Sequence, residues 1–166
     1  MARAKEHNVL SVLVENRPGV LMRVVALISR RGFNIESLSV GTTEDPTRSR
    51  ITIITDVDEE AWEQIKKQLN KLVVVHKITD LTDDPSIERE LVLFKVSAPA
   101  ERRSEVIELA NLFRANVVDV GRSSLTIEAT GDEGKLKGME DLLKAYGVKE
   151  IIRTGKIAMS RNPKDV

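Results

Sequence analysis

Apolar and polar residues alternate at Leu10, Val12 and Val14, and this period of two predicts a first strand over residues 9–14. The period then changes. Val20, Leu21, Val24, Leu27 and Ile28 recur at the spacing of an amphipathic helix, which Gly32 brings to an end. A second strand is predicted over residues 33–42, a turn over 43–49 around Pro46, and a third strand over 50–55. Asp58 suits the N-cap of a second helix, with Glu59 and Glu60 in the first turn, where the helix dipole favours acids. Trp62, Ile65, Leu69 and Leu72 form its apolar stripe, and Val73, Val74, Val75 and Ile78 make a fourth strand.

After the polar stretch 82–86 the same order begins again. Residues 91–96 read as a strand, Val106, Leu109, Ala110 and Phe113 as a helix face, and 117–120 with 125–129 as a hairpin. Leu136, Met139, Leu143 and Tyr146 mark a last helix and 148–159 a single closing strand. Two βαββαβ repeats predict an α+β chain of two tandem ferredoxin-like domains, each with two helices on one face of a four-stranded antiparallel sheet. The domains are expected over residues 1–82 and 89–166, joined by a linker at 83–88. Halves this small have modest cores, so pairing is expected, either between them or between subunits.

Charge and composition narrow the function. The 166 residues carry 26 basic and 26 acidic side chains, with one Trp, one Tyr and three Phe. A nucleic-acid surface needs clustered cations and stacking rings, so that class is set aside. The absence of cysteine excludes disulfides and thiolate metal sites. No apolar run resembles a signal peptide or reaches membrane-spanning length, which makes a cytoplasmic protein, not associated with membranes, the expectation.

The most informative chemistry lies between the first strand and the first helix, in Asn16-Arg17-Pro18-Gly19-Val20. Pro18 suits a first helical position, and Gly19 would let a ligand carboxylate approach the free amides of the first turn at the positive end of the dipole. A small zwitterion such as an α-amino acid needs acceptors for its ammonium, donors for its carboxylate and a shaped apolar pocket. Asn16 and Asn34 could supply amide groups, Gly19 and Val20 backbone donors, and Val20, Leu21, Ile35 and Leu38 a lining. A neighbouring subunit could bring Asn16 and Asn34, which flank the helix, together. The alternative is that both asparagines are ordinary turn and cap residues.

In the second half Ser97-Ala98-Pro99-Ala100 is read opposite Asn16-Arg17-Pro18-Gly19, and although Asn116 echoes Asn34, the features suited to a ligand are gone. The site is therefore expected in the first half alone. His7 and His76 lack ligand spacing, Gly131-Asp132-Glu133-Gly134-Lys135 lacks the glycine spacing of a phosphate loop and reads as a capped helix start, and Glu59-Glu60 and Asp83-Asp84 read as solvated charge. Arg30-Arg31 and Arg102-Arg103 read as solvated basic faces. No nucleophile–base pair, catalytic residue or metal site is found.

The run L-S-V-L-V-E-N-R-P-G-V-L-M-R-V, followed by R-R-G-F-N-I-E-S-L-S-V, resembles the regulatory (small) subunits of acetohydroxyacid synthase, also called acetolactate synthase. The resemblance continues through D-P-T-R-S-R-I-T-I, K-Q-L-N-K-L-V-V-V and E-R-E-L-V-L-F-K-V to R-T-G-K-I-A-M-S-R. It implies an N-terminal ACT domain whose homodimer interface binds a branched-chain amino acid, typically valine, and a related C-terminal domain. The implied partner is a catalytic (large) subunit, which would carry thiamine diphosphate, magnesium and FAD and condense pyruvate with a second 2-ketoacid toward valine, leucine and isoleucine. This chain would hold no cofactor. It would activate that subunit and confer feedback inhibition by valine.

Transferred from the family, the effector contacts fall on Asn16, Gly19, Val20, Asn34 and Ile35, with Leu21 added from helix geometry, while Arg17 and Met22 stand where relatives vary. Dimerisation is expected along the second strand, an edge without lysine or internal proline. A free-standing tandem ACT-like sensor acting on another enzyme is the alternative. A ferredoxin-like enzyme with a dispersed active site is the other class to separate.

Overall fold

A computed structural model of the chain describes residues 7–161. The first repeat folds as β1 (Asn8–Glu15), α1 (Val20–Ser29), β2 (Ser37–Thr42), β3 (Arg48–Thr55), α2 (Glu59–Leu69) and β4 (Val75–Asp80). The strands form an antiparallel sheet in the order β2-β3-β1-β4, the ferredoxin-like arrangement in which the outer strands are the second and the fourth. Alternation places Leu10, Val12 and Val14 of β1 and Ile51 and Ile53 of β3 on one face. Val20, Val24 and Ile28 of α1 and Trp62, Ile65 and Leu69 of α2 close over them. The Asp58 carboxylate accepts the Ala61 N–H at 2.8 Å, so α2 has the cap its sequence announced.

The second repeat is built alike, from β5 (Ser86–Ser97), α3 (Arg103–Leu112), β6 (Asn116–Val120), β7 (Ser124–Gly131), α4 (Glu133–Leu143) and β8 (Val148–Arg153), in the order β6-β7-β5-β8. Its core joins Val92, Phe94, Val96, Leu125 and Ile127 to Val106 and Ala110 of α3 and Leu136, Met139 and Leu143 of α4. Asp132 caps α4 by accepting the Lys135 N–H at 2.9 Å, which makes the glycine-flanked 131–135 stretch a helix start. The two-domain α+β expectation is met.

Several boundaries differ from the sequence reading: β3 already begins at Arg48, β5 begins at Ser86, so that the last residues of the expected linker 83–88 are strand, and three further differences change the shape of the first unit. The second strand begins at Ser37, and residues 33–36 are a connection in which Glu36 N–H already reaches Ile54 O at 2.9 Å. The fourth begins at Val75, because the Val75 N–H bonds to Leu72 O at 3.0 Å in a turn that leaves Val73 exposed. The closing strand is broken: Gly155, at φ +88°, separates β8 from β9 (Ile157–Ser160). Ala158 is buried with Val9, Ile54 and Leu81, Lys156 N–H donates to Ser37 Oγ at 2.7 Å and Arg161 N–H to Pro85 O at 2.8 Å.

By packing, the described residues thus divide into one unit ending at Ile87 that also takes residues 156–161, and a second unit, Glu88–Gly155. The sequence division gave the described tail, 156–161, to the second domain. Period alone could not show that its small buried residue, Ala158, lies against the open face of the first sheet.

One carboxylate fastens the end of the first sheet. Asp80 accepts from Trp62 Nε1 at 2.8 Å and Lys66 Nζ at 2.7 Å through one oxygen, and from Thr82 N–H at 3.1 Å and Thr82 Oγ1 at 2.6 Å through the other. Partial burial pushes its pKa up, but the Lys66, Thr82 and Trp62 bonds outweigh this and hold it below the ordinary aspartate value. A depressed carboxylate stabilises the fold fully above the unfolded pKa of about 4, and that contribution disappears as pH falls through the lower folded value. Asp80→Ala should cost about 2 kcal/mol at pH 7. Urea unfolding from pH 7 downward is the check, the gap between variant and wild type narrowing toward the acid end.

Candidate functional site

The connection from β1 to α1 is a tight turn made by its composition. Val20 N–H returns to Arg17 O at 3.3 Å across Pro18 and Gly19, and Gly19 at φ 84°, ψ −10° has the left-handed conformation of the third position of a type II turn. Gly19 is thereby the N-cap of α1, and Pro18 stands one residue before it and not at the first helical position. The cap has no side chain, and no side-chain hydrogen bond closes the start of the helix. The helical ladder begins with Arg23 N–H to Gly19 O at 3.2 Å.

Among the described residues no group accepts from the amides of Gly19, Leu21 and Met22, whereas the Val20 amide, read from sequence as a donor to ligand, closes the turn. These open donors sit at the positive end of the helix dipole. A Cβ at Gly19 would meet nothing within 4 Å, so the approach to them is unobstructed. Leu21 and Met22 are exposed beside them, while the Val20 side chain is buried in the core. Asn16 is exposed and donates its Nδ2 to Pro46 O at 2.9 Å, leaving Oδ1 as its available acceptor.

Asn16, Gly19 and Leu21 are therefore brought together. Asn34 and Ile35 are not. They lie in the connection between α1 and β2, past the far end of a ten-residue helix about 15 Å long, Asn34 exposed and Ile35 half-buried against the core. His7 Nδ1, just before β1, lies 2.8 Å from Glu36 Oε2 of this connection, a proximity its isolated place in sequence did not reveal.

Backbone pairing fixes which residues of the second unit correspond. Glu15 pairs with Arg48 as Ser97 pairs with Ser124, and Asn16 N–H bonds to Thr47 O at 2.8 Å as Ala98 N–H bonds to Ser123 O at 2.9 Å. Ala98, not Ser97, occupies the place of Asn16. The Arg103 guanidinium fills this corner: Nη2 donates to the carbonyls of Ala98 at 3.3 Å, Gly121 at 2.9 Å and Arg122 at 2.6 Å. Its neighbour Arg102 lies over the Tyr146 ring, 4.4 Å from the centroid. The second basic pair is thus structural, and the second unit has no asparagine at this corner.

Among the described residues no three His, Cys, Asp or Glu side chains are grouped to hold a metal ion, and no helix is long and apolar enough to cross a membrane. The geometry suits recognition of a small ligand carrying a carboxylate at the start of α1 and a donor group near Asn16.

Comparison with known proteins agrees in both units. Residues 10–77 match the family described as the AHAS small subunit-like ACT domain, and residues 89–162 the family described as the small subunit of acetolactate synthase. An acetolactate synthase small subunit from Mycobacterium bovis is 55% identical over 157 residues, covering 95% of this chain and 94% of that relative. One from Mycolicibacterium smegmatis is 51% identical over 166 residues, 100% of this chain and 98% of that relative. The crystal structure of the acetolactate synthase small subunit from Thermotoga maritima superimposes with a TM-score of 0.85 at 41% identity, covering 95% of this chain and 98% of that one.

Proposed function

The chain belongs to the family of acetolactate synthase small subunits, and from that premise we propose that it activates a larger catalytic subunit and makes it sensitive to feedback by valine or another branched-chain amino acid. The observation that carries the effector reading is the uncapped start of α1, where Gly19 and Asn16 leave donors and an acceptor open while Arg103 fills the matching corner of the second unit. A carboxylate bound at those amides and an ammonium at Asn16 Oδ1 together describe an amino acid. Leu21 and the half-buried Ile35 would meet its side chain.

The catalytic subunit, with thiamine diphosphate, magnesium and FAD, carries the chemistry, and both subunits work in the cytoplasm. Regulation is linkage: an effector that binds one state of the assembly about 1–3 kcal/mol more tightly biases the catalytic subunit toward it. Mixing the purified subunits should raise acetolactate formation above that of the catalytic subunit alone, and valine should reduce the gain. An unchanged rate on mixing refutes the activation.

Because Asn16 and Asn34 lie at opposite ends of α1, one site needs both a loop from one copy and a connection from another. The edge strand β2 is suited to that pairing. Its register with β3 runs unbroken from Ser37↔Ile54 to Thr42↔Ser49, whereas the pairings of the outer strands β4, β6 and β8 each contain a shift of the kind that blunts an edge. Thr43 N–H bonds inward to Arg48 O at 3.1 Å, so in the antiparallel alternation the N–H groups of Leu38, Val40 and Thr42 face outward. A two-fold dimer through β2 would complete two equivalent sites.

Gly19→Asp and Asn34→Ala should each weaken valine binding by roughly 1.5–3 kcal/mol, because one opposes the ligand carboxylate and the other removes a polar partner. Asn34 is exposed, and at Gly19 a side chain has open space but adds about 1–2 kcal/mol of backbone strain at φ 84°, so circular dichroism is the fold control. Calorimetric titration decides, and wild-type affinity in both variants moves the site elsewhere. Val40→Pro removes an outward donor and no bond to β3, so it should impair dimerisation and valine binding together. Sedimentation and titration read both, and a folded monomer with wild-type affinity rules out the shared site.

A further inference from the structure

We infer that the β2–β3 turn, residues 43–48, is a working part of the effector site: it grips Asn16 by its amide nitrogen, so that the ligand meets only the carbonyl oxygen, and Asp45 is the positioning residue that holds the turn in place. The inference rests on the effector reading above.

A carbonyl oxygen only accepts, so the group that Asn16 turns toward Pro46 O at 2.9 Å is its nitrogen, and the amide orientation follows from its partner. The backbone N–H of the same residue donates to the next carbonyl, Thr47 O, at 2.8 Å. Side chain and main chain of Asn16 are thus bound to two successive residues of the turn.

The turn is set from within. Asp45 Oδ1 accepts the Thr47 N–H at 2.9 Å and the Thr47 hydroxyl at 2.6 Å. Asp45 N–H donates to Thr43 Oγ1 at 3.2 Å, Thr43 Oγ1 donates to Asp45 O at 3.0 Å, and Arg48 N–H donates to Asp45 O at 3.0 Å. Arg48 Nε stands 3.4 Å from Asp45 Oδ2. The two bonds from Thr47 also hold the Asp45 carboxyl below the usual aspartate range, a sign that they favour its acceptor form. Pro46 has a fixed φ, so little freedom is left at the carbonyl that Asn16 meets.

The second unit shows that this tie serves the fold as well. Since Thr47 corresponds to Ser123, Pro46 corresponds to Arg122, and the Arg122 carbonyl also receives a donor from across the corner, Arg103 Nη2 at 2.6 Å. Both units fasten the hairpin at this carbonyl, the first through the strand-to-helix loop and the second through the first residue of α3. A guanidinium spends only donors on it and offers no acceptor, whereas an asparagine keeps one in reserve.

The clamp gives a result that a simple acceptor role does not. Asn16→Asp is nearly isosteric and offers an ammonium a better partner, yet it cannot donate to Pro46 O and sets an anion against it. Full-length wild type and the variants Asn16→Asp, Asp45→Ala and Asp45→Asn are titrated calorimetrically with valine, with circular dichroism as the fold control. Asn16→Asp and Asp45→Ala should each bind at least about tenfold more weakly, a loss of the size of one charge-assisted hydrogen bond. Asp45→Asn keeps the Oδ1 acceptor and forfeits only an exposed ion pair, so it should stay within about threefold of wild type. Asn16→Asp binding valine as tightly as wild type overturns the clamp, and so does wild-type affinity in Asp45→Ala. A wild-type chain that takes up no valine refutes the effector reading and not the clamp. In that event the exchange of the Asn16 side-chain amide protons, followed by NMR, should be slow in wild type and Asp45→Asn and fast in Asp45→Ala, and equal exchange in all three overturns the clamp.

Discussion

Backbone N–H groups without an acceptor among the described residues are the constraint on which the candidate site and the proposed dimer edge depend. Water satisfies such groups in isolation, and a ligand or a partner replaces it only where the geometry is already arranged. The start of α1 and the outer side of β2 both meet that condition, one because Gly19 brings no capping side chain and the other because its pairing with β3 is regular. Neither depends on a reactive side chain, in keeping with a regulatory role.

The two units show what separates an open corner from a closed one on a shared fold. Strand order, helix placement and the backbone bonds leading into the loop are the same, and the cores are built from equivalent positions. What differs is small: an asparagine against an alanine, a left-handed glycine against a helix start at Arg102, and an arginine folded back onto carbonyls. The same stability requirement, a donor joining loop to hairpin, is met in both.

Much of this was legible in the chain. The periods of two and three to four gave both repeats and their cores, and the aspartates at 58 and 132 announced their helices through a reach of three residues that sequence displays directly. The losses are of another kind. The match of Ala98 to Asn16 depends on pairing register, which one residue of loop length displaces. The engagement of the Val20 amide depends on the turn type, and the role of Pro46 on a bond spanning thirty residues. Long-range partners leave no period, and so the turn 43–48 read as a mere connection.

The placement of β9 has a bearing on how the molecule can be dissected. Because Ala158 lies with Val9, Ile54 and Leu81, the second unit is, in topological terms, an insertion: the chain leaves the first unit at Glu88 and re-enters it at Lys156. A fragment ending before Lys156 would keep every residue of the candidate site and still expose an apolar patch, and would take from Ser37, the first residue of the proposed dimer edge, the amide that its hydroxyl accepts. An autonomous effector module would therefore require the tail to be grafted back after residue 87, with the intervening unit excised.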